Sequence, residues 1–449
     1  MCATDKSKLP PGPKAKFPLG NLFSFRKDCL GFLKSIADEY GDIVHFKIGP
    51  IRVVLLNHPD YIKEVLSTQN RNFKKGRPLE MAKELLGDGL LTSEGEFHRK
   101  HSRIIQPAFH RNMLDSYAPV ISGCAEKLMK DWADGMEVDI KKEMRYMSIA
   151  IAGEALFGAD TAGEAAELDK ALETATSLFG RIPLPFSEWL LKLPLPENKR
   201  FYKAKKRLDS TIHRMIEERR RLNADSGDLI SLLLRAQRDL GKDAFSDQEI
   251  RDEAITLFLT AFDTTSVALT WTWYLLSLNP EAEAALHEEL DRVLKGRLPN
   301  AEDVAELKYT RMVFGESLRM YPPSYLIPRQ AIEAFAIGDY TIPAGTIILL
   351  SPYLMHHDPR FHEDPEKFNP RAWDRDVASQ RSKYEYFPFS RGPRSCIGEP
   401  FAWLQGVLAI ATIARFWKLE LESDHPVELE TVINLRPKKG IKMILKKRK

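Results

Sequence analysis

Phe389-Ser390-Arg391-Gly392-Pro393-Arg394-Ser395-Cys396-Ile397-Gly398, followed by Glu399-Pro400 and a largely apolar run to Trp417, is the stretch from which the rest of the chain is read. Pro400 suits the first turn of a helix, so Cys396 stands just ahead of a helix N-terminus. Unpaired N–H groups and the positive end of the dipole there favour a thiolate over a thiol, and the thiolate is the form that ligates iron. Gly392 and Gly398 remove side chains on either side of the sulfur, which lets backbone approach a flat cofactor closely. Arg394 brings a permanent cation suited to a carboxylate. The other cysteines, Cys2, Cys29 and Cys124, are scattered without CxxC spacing and read as small buried hydrophobes, so neither a disulfide scaffold nor an iron–sulfur or zinc motif is expected.

Haem has both a planar face and carboxylates. The stretch FSRGPRSCIG resembles the haem-binding loop of the cytochrome P-450 family, in which phenylalanine, glycine, arginine, cysteine and glycine stand at these spacings. The resemblance implies haem b as cofactor, Cys396 as the axial ligand of its iron and Arg394 as a propionate partner. Ser390 stands where many members have glycine.

Other segments carry the same resemblance. Glu316 and Arg319, three residues apart in a helix that Tyr321-Pro322-Pro323 ends, would by themselves be a surface ion pair; they resemble the family's ExxR motif, which is structural. The family's third partner is an arginine at the position of Ala372, with Arg371 one place early, and whether Arg371 joins the network is open. Asp263 and Thr264 sit mid-helix among Leu257, Phe258, Leu259, Ala261, Phe262 and Val267. Without Cys396 they would read equally well as Thr264 returning its hydroxyl to the Thr260 carbonyl and Asp263 finding a buried partner. With it, Thr260–Thr265 resembles the family's oxygen-activation groove, which implies a hydrogen bond from Thr264 toward dioxygen and proton relay by Asp263. His98 resembles a propionate contact, with Ser102 at an arginine's place and Arg103 following, and Arg329 resembles a further propionate-binding arginine. His356-His357-Asp358 and His362 lack zinc-like spacing, and the His287-Glu288 pair fails as HExxH at Asp291.

Along the chain, a proline-rich entry, Pro10 to Pro18, precedes a helix near Asp28–Tyr40 and two strands, IVHFKIG and IRVVLLN, joined at Gly49-Pro50. Helical period then dominates, over Glu94–Gln106, Met113–Trp132, Phe201–Leu222, Asp247–Leu278 and Glu281–Leu294. Beyond Pro322 come short strands and a long irregular run, His356 to Gly398, too aromatic for disorder and so expected to wrap something. The expected fold is mainly α with small β-sheets, the triangular prism of the P-450 family, in a single domain over residues 1–449. Ala254–Leu278 is long enough to span a bilayer, but an acid at mid-span, Asp263, favours a buried helix over a transmembrane anchor.

With 66 basic and 63 acidic residues among 449 the net charge is +3, which argues against a nucleic-acid binder. The opening MCATDKSKLPPGPKAK has no apolar signal core, so a cytoplasmic location is expected. The resemblance implies a soluble, bacterial-like monooxygenase that inserts one atom of dioxygen into an organic substrate. No flavin or ferredoxin module is visible, so a separate ferredoxin or flavodoxin-type donor with its reductase is expected, steered by a basic face of Arg99, Lys100, Arg103 and Arg391. Phe258, Ala261, Phe262, Leu326 and Ile327 are candidate pocket walls, with Leu85–Leu91 and Phe179–Pro196 as covering segments. Their apolar character points to a fatty acid, terpenoid or steroid-like substrate. The competing readings are a haem-thiolate enzyme that uses peroxide or rearranges oxygenated lipids, and a non-catalytic haem sensor.

Overall fold

A 32-residue helix, Asp247–Leu278, organises the protein. Its start is fixed by a capping box in which Ser246 Oγ accepts the Glu249 N–H at 3.2 Å and Glu249 accepts the Ser246 N–H at 2.6 Å. Its apolar residues lie all round the helix, so it has to be enclosed. Helices Ile140–Ile151, Pro196–Leu222, Lys308–Met320 and Glu399–Ala414 pack around it. It has the length and composition to cross a membrane, yet most of that span is buried inside the protein. The computed structural model describes residues 9–177, 193–222, 227–241, 245–374, 382–422 and 427–448. Most of the expected covering segment Phe179–Pro196 lies outside them.

The strands are short: β1 (Ile43–Ile48), β2 (Ile51–Leu56), β3 (Phe73–Lys75), β4 (Glu137–Asp139), β5 (Ile327–Ala331), β6 (Phe335–Ile337), β7 (Tyr340–Ile342), β8 (Ile347–Leu350), β9 (Trp417–Leu421), β10 (Leu429–Thr431), β11 (Leu435–Pro437) and β12 (Lys442–Lys447). They form a five-stranded sheet in the order β1-β2-β8-β5-β3, a three-stranded sheet β4-β12-β9 and the pairs β6-β7 and β10-β11. The β1–β2 turn passes through Gly49 at φ +57°, a conformation that glycine adopts without strain. In the large sheet β3 pairs antiparallel with β5, which sets Lys75 opposite Arg329.

What the long irregular run wraps is the Glu316–Arg319 helix. Both side chains are buried, at 1% and 3% exposure, so the pair is an interior one. Arg319 Nε and Nη2 each donate to Glu316 at 2.8 Å, and the guanidinium also donates to the carbonyls of His356, Pro365 and Lys367 at 2.9, 2.7 and 3.1 Å. Glu316 accepts the Asn369 N–H at 2.9 Å and the Trp373 indole N–H at 2.8 Å. Trp373 thus supplies the donor that the missing arginine at Ala372 would have given. Arg371 does not reach the pair; its guanidinium lies over the Tyr309 ring, 5.6 Å from the centroid. His356, fully buried, lies 3.1 Å from the Arg319 carbonyl through Nδ1 and accepts the Phe387 N–H at 3.1 Å through Nε2. Burial pushes its pKa well below the usual imidazole range, so the ring stays neutral and serves as a strut between the helix and the cysteine loop. His362 bonds the Glu385 carbonyl, and no group of His, Cys, Asp and Glu among the described residues has the arrangement of a metal site.

Candidate active site

Cys396 lies at the end of the loop that leads into helix Glu399–Ala414 and donates its N–H to the Phe389 carbonyl at 2.9 Å. The N–H groups of Gly398 and Glu399 are directed at the sulfur and favour the thiolate, as the helix terminus implies. Desolvation by the surrounding loop works against them and raises the thiol pKa. The helix terminus thus favours the thiolate as expected, and a positive centre bound at the sulfur would complete the hold on the charged form.

The two glycines differ. A Cβ on Gly392 would come within 2.0 Å of the Leu66 carbonyl oxygen, and its φ is +77°. Packing of the loop on the Leu66–Ser67 segment requires it, not access for a cofactor. Gly398 has only ordinary contacts, at 3.9 Å to Sγ of Cys396 and to Phe109, and faces the cavity. Ser390 is held at φ +60° with its buried hydroxyl lacking a hydrogen-bond partner among the described residues. Ser390→Gly relieves the left-handed strain and the stranded hydroxyl. The haem-loaded variant is expected to be more stable by about 0.5–1 kcal/mol, read as a raised thermal midpoint.

The sulfur opens into a cavity of about 1340 Å³. At one end four basic side chains meet: Lys75 from β3, His98 from helix Gly95–Ile105, Arg329 from β5 and Arg394 from the cysteine loop. Arg394 donates to the Ser93 carbonyl at 3.0 Å and to the Glu94 carboxylate, whose other oxygen takes the Lys75 N–H. Lys75 Nζ donates to the carbonyls of Leu90 and Ser93 at 2.8 and 3.1 Å. Burial first, and then repulsion from Arg394, lowers Lys75 to about 7 and Arg329 to about 10; burial with Lys75 and Arg394 lowers His98 to about 3. Buried groups that repel one another around a single carboxylate make a seat for further negative charge. A haem with two propionates fits that seat and the sulfur together. Ser102 reaches the cavity, whereas Arg103 is exposed, so the second cation in this region is Lys75. Lys75→Met is expected to strengthen the haem-free protein and weaken haem retention about tenfold, measured by thermal unfolding and by haem loss to a scavenger. A folded pKa near 7 against 10.5 means that the parent carries its full penalty below pH 7 and none above 10.5, so the stability difference narrows over that range.

The central helix lines the cavity with Thr256, Leu257, Leu259, Thr260, Ala261, Asp263, Thr264, Thr265 and Ala268. Leu326 and Ile327 also line it, as do Leu85, Leu86, Leu90 and Leu91. Phe258 and Phe262 do not. They are buried to 1% and 0% on another face of the helix, edge-on to each other at 5.4 Å, and Phe258 packs edge-on to Phe157 at 5.5 Å; they are core residues rather than pocket walls. The first covering segment is tied to the same helix, since Asp252 accepts the Asp88 N–H and Glu253 the Leu90 N–H, each at 2.9 Å. Thr264 donates its hydroxyl to the Thr260 carbonyl at 2.9 Å. Asp263 accepts from Arg145 at 2.6 Å and from the Asn434 amide. Arg145 pairs with Asp169 as well; burial pulls the guanidinium down, but the two carboxylates prevail and raise it. Lys75, Glu94, Trp373, Arg145 and Asn434 carry no motif and become visible only when strands and loops distant in sequence meet.

A mainly helical protein with a cysteine at a helix terminus, facing a cavity ringed by cations, has the build of a haem-thiolate enzyme. The chain matches the family model described as Cytochrome P450 over residues 10–445 and belongs to that family. It is 38% identical over 403 residues to a cyclooctatin synthase of Streptomyces melanosporofaciens, covering 89% of this chain and 87% of that protein. It is 36% identical over 405 residues to a cyclooctat-9-en-7-ol 5-monooxygenase of the same organism, with the same coverage. A pentalenene oxygenase of Streptomyces avermitilis is 33% identical over 430 residues, covering 94% of this chain and 95% of that protein. The protein is an oxidoreductase that incorporates oxygen from dioxygen, with haem as its iron-containing cofactor, a redox partner and an organic substrate.

Proposed function

We propose that residues 1–449 form a single cytoplasmic catalytic domain that hydroxylates a terpenoid, with electrons from a ferredoxin or flavodoxin-type donor. The observation that carries the substrate class is the aliphatic part of the cavity lining, Leu85, Leu86, Leu90, Ala261, Leu326 and Ile327. Such a surface rewards a rigid apolar skeleton and offers few polar groups to orient one. The relatives named as a pentalenene oxygenase and a cyclooctat-9-en-7-ol 5-monooxygenase support a terpenoid as the substrate class.

Cys396 would hold the iron, and Arg394, Arg329, His98 and Lys75 the propionates; the bound haem supplies activation of dioxygen. The chain's own contribution is to seat the substrate against the aliphatic wall and to move protons. Asp263 carries a proton inward, and the Thr264 hydroxyl, released from the Thr260 carbonyl, passes it on. For the donor, Arg99, Lys100 and Arg103 form the basic face. Arg99 and Arg103 are exposed, while Arg391 is tied to the Lys383 and Tyr386 carbonyls at 3.0 Å each and is not a free surface charge.

The test is turnover of polycyclic terpenes, fatty acids and steroids by purified haem protein with a ferredoxin and its reductase. Product that needs both reductant and dioxygen, formed from the terpenes and slowed by charge reversal at Arg99 and Arg103, is expected. Turnover with peroxide alone, or product from fatty acids only, would overturn the reading.

A further inference from the structure

The β10–β11 hairpin reaches the cavity. The residues that close its turn, Thr431 and Leu435, are fixed at three points: the Trp271 indole donates to the Leu435 carbonyl at 2.8 Å, the Leu435 N–H to the Pro323 carbonyl at 2.9 Å, and the Tyr325 hydroxyl to the Thr431 carbonyl at 2.6 Å. Its tip is different. Val432 and Ile433 are each 41% exposed and line the cavity. Asn434, the next residue, is 7% exposed, and its amide donates to Oδ2 of Asp263. Arg145, only 5% exposed, donates to Oδ1 at 2.6 Å. Asp263 is therefore held by two arms of unlike character. The Arg145 arm is an ion pair rooted in a buried helix. The Asn434 arm is neutral and belongs to a segment whose neighbouring side chains meet whatever fills the cavity.

We propose that Asn434 is a positioning residue that couples substrate seated on Val432 and Ile433 to the orientation of the Asp263 carboxylate. A substrate packed against the tip sets the hairpin, the hairpin sets the amide, and the amide fixes Oδ2, the oxygen that Arg145 leaves available. The inference deepens the proposed function and rests on the proton role given there to Asp263. It also names a specificity determinant: a substrate that leaves the tip unfilled is bound but converted wastefully, because the carboxylate is then held on one side only.

The experiment measures product formed per reducing equivalent consumed, a ratio that does not depend on how much protein is folded, together with the substrate-induced spin-state change. Asn434→Ala and the near-isosteric Asn434→Leu, which removes the donor without adding a charge beside Asp263, are each expected to lower that ratio about fivefold with unaltered substrate affinity. Val432→Ala with Ile433→Ala is expected to lower the ratio by a similar factor and, because these side chains touch the substrate, to weaken its binding as well. In an Asp263→Asn background none of these changes is expected to lower the ratio further. An unchanged ratio in both Asn434 variants, or equal losses in both backgrounds, would overturn the coupling. An Asp263→Asn protein that matches the parent would instead remove the proton role on which it rests.

Discussion

Cys396→Ser is expected to abolish both the strongly red-shifted Soret band of the reduced carbon monoxide complex and reductant-dependent turnover, with activity lower by about 10³-fold or more. The substitution is chosen because the loop should survive it. The Gly398 and Glu399 N–H groups directed at the sulfur can be accepted equally by a hydroxyl oxygen, and the Cys396 N–H bond to Phe389 belongs to the backbone. What changes is the ligand: a serine oxygen is less polarizable and gives up its proton less readily than a thiol, so it does not donate charge to iron as a thiolate does. Parent-like bands and turnover from the variant would remove the basis of the assignment.

Arg319→Ala is expected to cost about 3–5 kcal/mol and to prevent haem-loaded protein from accumulating. The guanidinium is the main partner of a carboxylate at 1% exposure and also the donor to three carbonyls of the long loop. Its removal leaves Glu316 charged and buried with two neutral donors, Asn369 and Trp373. Against a total stability of roughly 5–15 kcal/mol, a loss of that size is decisive. Denaturant unfolding, with the carbon monoxide spectrum as the measure of correctly ligated protein, checks it; a variant within 1 kcal/mol of the parent, about the net worth of one ordinary hydrogen bond, would contradict the buried hub.

The course of the backbone was largely legible. The β1–β2 hairpin and the limits of helix Asp247–Leu278 follow from alternation, period and the Ser246 cap, all local signals. The site was legible where chemistry is concentrated in a few consecutive residues, as around Cys396. Phe258 and Phe262 were misplaced because spacing alone does not separate them from the lining residues: Phe258 stands three residues before Ala261, and its packing on Phe157 is what sets it in the core. Lys75 was hidden because only the register of β3 on β5 brings it beside Arg329. Trp373 was hidden because an indole N–H performs what the family assigns to a guanidinium. The hold of Asn434 on Asp263 has no local signature.

The cluster of Lys75, His98, Arg329 and Arg394 bears on the life of the polypeptide before it works. A newly made chain carries this unrelieved repulsion until the porphyrin arrives, and ligand that binds only the folded form stabilises it by mass action. Cellular abundance should therefore track porphyrin supply: when synthesis outruns it, the excess chains open more often and proteases remove them first.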